Sequence, residues 1–293
     1  MPRALRPRVR QHPGRAAQPG QHEAHIGLGA ALRQELRIES ALRASGGCIH
    51  RSYAVVIGGK RCFLKTNSAD RQDIFAAEAQ GLLALRDAGL RAPEPLAQGV
   101  AGGEAYLLLE YLELQRPGDF AALARMLARA HRQPAAHFGW ARHNYIGSTL
   151  QNNAWCDDWG QFWRERRMRP QLEMAGLDVD LGALDHWLDN HKPQPSLLHG
   201  DLWSGNVGFS QSGPVVFDPA VYYGDREADL AMTELFGGFS REFYKAYDEA
   251  FPLAEGYEKR KSLYNLYHLL NHLNLFGGGY LGQVRSCLRL LGL

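Results

Sequence analysis

Cysteine is scarce in this chain, long apolar runs are missing, and neither sign of charge dominates. Four cysteines occur in 293 residues: Cys48, Cys62, Cys156 and Cys287. Their wide spacing fits neither a zinc site nor a disulfide framework, so a reducing, cytoplasmic compartment is expected. No apolar stretch approaches the ~20 residues needed to span a bilayer, and no membrane partner is expected. The net charge is +2, which gives no reason to expect a nucleic-acid partner. What is present is ordinary for a globular chain, 45% hydrophobic and 22% charged. The length suits one two-lobed domain or two small ones.

The first 27 residues differ from the rest. Five arginines precede the first acid, Glu23, among Pro, Gly, Gln and His. The apolar core of a secretory signal is missing. A disordered Arg-rich tail is expected over 1–27, with an organelle transit peptide as the alternative. His12, His22 and His25 fall within it and are read as incidental.

From residue 28 the pattern becomes structured. Leu28, Leu32, Leu36 and Leu42 predict an amphipathic helix over 28–43. Ser45-Gly46-Gly47-Cys48 then turns into a strand through Val55 and Val56, and Gly58-Gly59 leads into a second strand ending at Lys65. The periodicity of Ile74, Phe75, Leu82 and Leu85 predicts a helix over 73–87, with Glu78 in its middle. A second hairpin, 95–99 and 105–112, runs into Pro117-Gly118. Beyond it helices are predicted over 120–132, from Asp157-Asp158 through Leu172, and over 181–191, 225–236, 241–251 and 256–276. A strand-rich first third followed by helices predicts an α+β, bilobal, protein-kinase-like fold, with an antiparallel-sheet N-lobe at 28–113 and a mainly helical C-lobe at 114–293.

One stretch carries chemistry. In Leu198-His199-Gly200-Asp201-Leu202-Trp203-Ser204-Gly205-Asn206, an aspartate is followed five positions on by an asparagine. A second aspartate, Asp218, closes the apolar run Val215-Val216-Phe217. This spacing is a phosphoryl-transfer arrangement. Asp201 would accept the proton of a substrate hydroxyl, while Asn206 and Asp218, at adjacent ends of a hairpin, would hold Mg2+ against the phosphates of ATP. Gly46 and Gly47 would let backbone N–H groups approach those phosphates, and Lys65 would grip them. Glu78 either pairs with Lys65 or is a solvated helix glutamate. Backbone groups around Glu110, Tyr111 and Leu112 fit an adenine hinge.

The segments GGCIHRSY, FLKTNSADRQDIFAAEAQGL, NYIGSTLQNN, HGDLWSGNVGF, VVFDPAVYYGDREADLAMTELFGGF and LYNLYHLLNHLNLFGGGYLG closely resemble the fructosamine/ketosamine kinases, relatives of aminoglycoside and choline phosphotransferases. The likeness covers about residues 28–293. It implies ATP- and Mg2+-dependent phosphorylation of a sugar hydroxyl, O3 being expected, on a small-molecule or protein-bound ketoamine, leading to repair of the adduct. It also implies the roles above for Lys65, Glu110 to Leu112, Asp201, Asn206 and Asp218. Trp203 either stacks on the sugar or packs in the core. Asp225, Glu227 and Asp229 are read as acids favoured at a helix start, or as a grip on the cationic amine. His268 and His272 lie on an Asn/His-rich helix face, which is a polar cleft wall or a hydrogen-bonded core. The resemblance makes a redox switch at Cys48 worth testing, through a homodimer linked there; a monomer is equally open. His50 departs from the family pattern and is read as a surface side chain. A kinase for an aminoglycoside- or choline-like molecule is the alternative in the same fold. A non-catalytic nucleotide-binding pseudokinase is the alternative from another class, and the intact Lys65, Asp201, Asn206 and Asp218 argue against it.

Overall fold

A computed structural model describes residues 27–44, 49–115, 118–188 and 190–293. The chain begins with a short helix, α1 (Ala30–Glu35), and continues into a strand, β1 (Ile38–Arg43). The helix expected over 28–43 is therefore wrong in its second half. Arg37, at φ 54°, ends α1, and β1 pairs antiparallel with β2 (Arg51–Ile57). Leu28 and Leu32 are buried, but Leu42 is 72% exposed. The leucine spacing imitates a helix stripe, and strand pairing overrides it.

Strand β3 (Lys60–Ser68), helix α2 (Gln72–Asp87) and the hairpin of β4 (Pro95–Ala101) with β5 (Glu104–Glu110) follow. The strands form one antiparallel sheet in the order β1-β2-β3-β5-β4. Both faces of β5 are covered. Leu107 and Leu109 pack with Phe75, Leu82 and Leu85 of α2, while Tyr106 and Leu108 pack with Leu32, Tyr53 and Val55. This explains why β5 reads as an unbroken apolar run rather than an alternating one.

The remainder is helical apart from short hairpins. Asp119 caps α3 (Phe120–His131), its Oδ1 accepting from Ala122 N at 2.8 Å, and β6 (Asn144–Ile146) pairs with β7 (Thr149–Gln151). Asp158 caps α4, a continuous helix of segments Trp159–Phe162, Trp163–Met168 and Arg169–Ala175, the middle one π-helical. After α5 (Asp185–Leu188), β8 (Ser196–Leu198) leads into residues 199–206, β9 (Val207–Ser210) and β10 (Gly213–Val216) form a hairpin, and β11 (Tyr222–Gly224) returns to pair with β8. Helices α6 (Glu227–Leu235), α7 (Arg241–Ala250), α8 (Tyr257–Phe276) and α9 (Leu281–Leu291) complete the fold. Apart from the first, the helices read from sequence recur within a few residues, whereas α9 and the β6–β7 hairpin are additional. The core of α2 and β5 continues through Leu123 and Leu127 of α3 to Leu202 and Val216, so the segment around Asp201 is seated on the packing that joins the two lobes. The architecture is the expected α+β, bilobal one. Among the described residues no helix is long and apolar enough to cross a membrane.

Candidate active site

The β9–β10 hairpin brings Asn206 and Asp218 to adjacent ends, with Val207 opposite Val216 and Phe217 N donating to Asn206 O at 3.1 Å. Asp218 has φ 56°. A non-glycine residue in the left-handed region is strained, and such strain persists where the surroundings impose it, often at functional sites. Lys65 lies 2.5 Å from Asp218 Oδ1 and 2.6 Å from Glu78 Oε1. Strand β3 and helix α2 thus converge on the second aspartate. Burial opposes the charge on Lys65, but Asp218 and Glu78 together lift its pKa above the ordinary lysine value. Burial would likewise raise Asp218, and the Lys65 ammonium carries it below the usual carboxylate range instead.

Asp201 is placed by backbone geometry. Gly200 has φ 81°, and a Cβ there would stand 2.1 Å from the Ala220 carbonyl oxygen, so only glycine fits. Asn206 Nδ2 donates to Asp201 O at 2.8 Å and to Asp201 Oδ2 at 3.0 Å. Burial, the largest influence, raises the Asp201 pKa to about 7; Asn206 opposes the rise, and the charges of Asp218 and Asp229 add to it. A carboxylate with this pKa is matched to general-base work near neutral pH. The amide nitrogen of Asn206 is committed to Asp201, leaving its oxygen to bind a cation. With the Asp218 carboxylate it makes an all-oxygen donor set of the kind that suits Mg2+.

Beneath this segment lies Asp229, one of the acids expected at a helix start, in a place that expectation does not give it. Asp229 accepts from His199 N at 2.7 Å and from Gly200 N at 2.9 Å, and lies 3.2 Å from His131 Nε2. It is 1% exposed. His199 is also buried; its Nε2 donates to Phe217 O at 3.0 Å and its Nδ1 accepts from Asp201 N at 3.3 Å. The ring is therefore the neutral Nε2–H tautomer, and burial lowers its pKa. It links the Asp201 loop to the strand that ends at Asp218.

The other expected residues divide. Gly46, Gly47 and Cys48 lie outside the described residues. The Glu110 carboxylate is held by Arg91 and its N–H donates to Glu94 O at 2.9 Å, while Tyr111 lies under the Arg61 guanidinium at 3.8 Å. Gln115 N, just beyond Leu112, donates to Phe209 O at 2.6 Å and ties this segment to β9. Trp203 is 37% exposed, at the head of a chain of rings: it meets Phe236 edge-on at 6.3 Å, Phe236 lies 4.6 Å from His272, and His272 lies 5.1 Å from Tyr280. His272 Nδ1 donates to His268 O at 2.8 Å, so Nε2 is left as an acceptor.

Three expectations need correction. Asp225 does not offer a free carboxylate to a substrate. It is 1% exposed, and its oxygens are taken by His191 Nε2 at 2.6 Å, Tyr264 Oη at 2.5 Å and Glu227 N at 3.1 Å. His268 faces the protein interior at 3% exposure, and burial takes its pKa down to about 3. Much of its helix face is hydrogen-bonded core, with Gln171 bridging Asn271 at 3.1 Å and Asn274 at 2.7 Å. His50 is not a surface group. Its ring packs 4.8 Å from Phe75, its Nδ1 accepts from Asn67 at 2.9 Å, and burial, assisted by Lys65, depresses its pKa to about 4.

A buried carboxylate with a raised pKa, an amide and a carboxylate oxygen suited to a cation, and a paired lysine together make the constellation of a kinase-like phosphotransferase. The fructosamine kinase family model matches residues 22–291, and the chain belongs to that family. It is 44% identical over 275 residues to a "Probable ketoamine kinase" of Synechocystis sp., covering 88% of this chain and 93% of the relative. Against the chloroplastic protein-ribulosamine 3-kinase of Arabidopsis thaliana it is 39% identical over 258 residues, covering 82% and 79%. The solved structure of a fructosamine-3-kinase candidate from Haemophilus somnus superposes with a TM-score of 0.82 at 29% identity, covering 87% and 91%. An aminoglycoside phosphotransferase in ternary complex with ADP and hygromycin B shares the fold, with a TM-score of 0.61 at 15% identity, over 89% and 95% of the two chains.

Proposed function

We propose that this protein transfers the terminal phosphoryl group of ATP to a sugar hydroxyl, O3, of a ketosamine such as a fructosamine or ribulosamine adduct, as a step in deglycation. The observation that carries this reading is the meeting of Lys65, Asp201, Asn206 and Asp218 in a member of the fructosamine kinase family. Asp201 orients the acceptor hydroxyl and takes its proton as the oxygen attacks phosphorus. Lys65, held charged by Glu78, neutralises phosphate oxygens. The backbone of Glu110 to Leu112 would receive the adenine through the Glu110 carbonyl and its two successors, since the Glu110 N–H is already bonded to Glu94. Asn206 and Asp218 are the residues that would hold Mg2+, which supplies charge neutralisation at the phosphates.

Trp203, two residues past Asp201, and the rings of Phe236 and His272 that continue from it support an acceptor with both apolar faces and hydroxyls. The free Nε2 of His272 is an acceptor for a hydroxyl. The test is ATP consumption with a synthetic fructosamine, a ribulosamine and kanamycin in parallel. Turnover with either ketosamine and none with kanamycin is expected; kanamycin turnover alone would refute the assignment.

A further inference from the structure

The segment NYIGSTLQNN has no part in the chemistry above, yet it forms the unanticipated β6–β7 hairpin. Its residues make contacts across the two lobes. Tyr145 Oη donates to Asp73 Oδ2 at 3.1 Å. Arg142, just ahead of the hairpin, forms an ion pair with the other oxygen of Asp73. Asp73 stands in the first turn of α2, five residues before Glu78. On its other side the hairpin holds the strand that follows Asp218, since the buried Asn144 donates through Nδ2 to Val221 O at 2.7 Å. Asn153 fixes both ends of the device by donating to Asn144 Oδ1 at 2.7 Å and to Arg142 O at 3.1 Å. Helix α2 also lies directly against this strand. A Cβ at Gly81 would come within 3.3 Å of Pro219 and 3.4 Å of Val221.

From these contacts we infer that Arg142, Tyr145 and Asp73 form an interlobe strap that positions Lys65 for the reaction. The inference rests on the reading of Lys65 as the phosphate-binding lysine. Glu78 and Asp218 hold the Lys65 ammonium from two sides, one on α2 and one on the segment after β10. The hairpin grips both carriers. If α2 rotates away at its first turn, Glu78 moves and Lys65 is left to Asp218 alone, a residue also needed for the metal. None of the three strap residues reaches the reacting atoms. They are positioning residues, and their effect should appear at the nucleotide.

The experiment is a charge exchange. Asp73→Arg and Arg142→Asp are prepared singly and together, and steady-state kinetics are run with a ketosamine that the wild type turns over. The Asp73 side chain is 58% exposed, and an exposed pair contributes little to global stability, so each variant should keep its Tm within about 3 °C. Each single exchange should raise KM for ATP about fivefold while changing KM for the ketosamine less than about twofold, and the double exchange should recover most of the loss. Tyr145→Phe should act in the same direction, more weakly. Wild-type KM for ATP in both single variants would overturn the inference, as would a double variant no better than the worse single. Failure of the wild type to use any ketosamine would instead remove the functional proposal, and the two failures are distinguishable.

Discussion

Asp201 should make this protein a better enzyme and a less stable fold as pH rises through neutrality. Its pKa is about 7 in the folded chain and roughly 3.9 when unfolded. The folded state therefore holds a proton that the unfolded state has lost over the interval between those values. Stability from this residue is fully present below about pH 4 and is lost as pH rises through about 7. Three units of difference amount to about 4 kcal/mol at pH 8. Replacement by asparagine removes the charge and keeps an oxygen for the Asn206 amide, which bonds Asp201 Oδ2 at 3.0 Å. Asp201→Asn should thus be more stable than the wild type at pH 8 by about 2–4 kcal/mol, and nearly equal to it at pH 4. Activity runs the other way. Only the carboxylate accepts a proton, so wild-type kcat/KM at pH 6 should be about a tenth of its value at pH 8, and the asparagine variant should lose at least about a hundredfold at every pH. Thermal unfolding of both proteins without nucleotide, from pH 4 to 8, together with initial rates of ATP consumption from pH 6 to 8, decides the matter. A stability difference that does not change with pH would refute the reasoning from burial, and a wild-type rate that does not change would refute the role of base.

Two further outcomes follow from the bonds beneath the base. Asp229→Asn leaves one oxygen for His199 N or Gly200 N and turns an amide N–H toward the other, so a buried donor loses its partner. The protein should be destabilised by about 1–3 kcal/mol in denaturant unfolding, and kcat should fall with little change in KM for ATP. Gly200→Ala forces a Cβ into the Ala220 carbonyl at positive φ; loss of more than about 3 kcal/mol is expected, read as a Tm decrease of several degrees, and an unchanged Tm would count against the loop geometry.

The chemistry was legible in the sequence because it depends on residue type at fixed spacing. Asp201, Asn206 and Asp218 come together through one short hairpin, and the stretch from Lys65 to Glu78 contains only the end of a strand, a turn and two turns of helix. Such local geometry survives translation from spacing to space. Contacts set by distant parts of the chain did not. Ile38 to Arg43 joined the sheet because β2 offered a pairing edge, and nothing in the leucine pattern records that edge. The Asn/His face of α8 was taken for a possible cleft wall because solvated faces usually carry Lys and Glu, but Gln171, 100 residues earlier, satisfies Asn271. Trp203 and His272 remain partly exposed, and only the ring contacts through Phe236 reveal that they belong together.

The run Asp225-Arg226-Glu227-Ala228-Asp229 shows most clearly what spacing alone leaves open. Acids at the start of a helix are expected to complement its dipole at the surface. Here all three carboxylates are buried, each at 1% exposure, and each has a different long-range partner. Asp225 binds His191 and Tyr264, Glu227 binds Arg260 through both oxygens at 2.8 Å, and Asp229 holds the catalytic loop. His191, Asp225 and Glu227 lie close enough to resemble a metal cluster, yet Arg260 and Tyr264 already supply the donors that a cation would replace. A buried carboxylate without such partners would be strongly destabilising. Satisfied by distant groups, the three fix the first turn of α6 against α8, the chain before β8 and the Asp201 loop simultaneously. Of the three, Asp229 also reaches the proposed base, because its charge helps to raise the Asp201 pKa. In the proposed reaction Asp229 would therefore act through Asp201 rather than on the amine, and it would do so because it is buried.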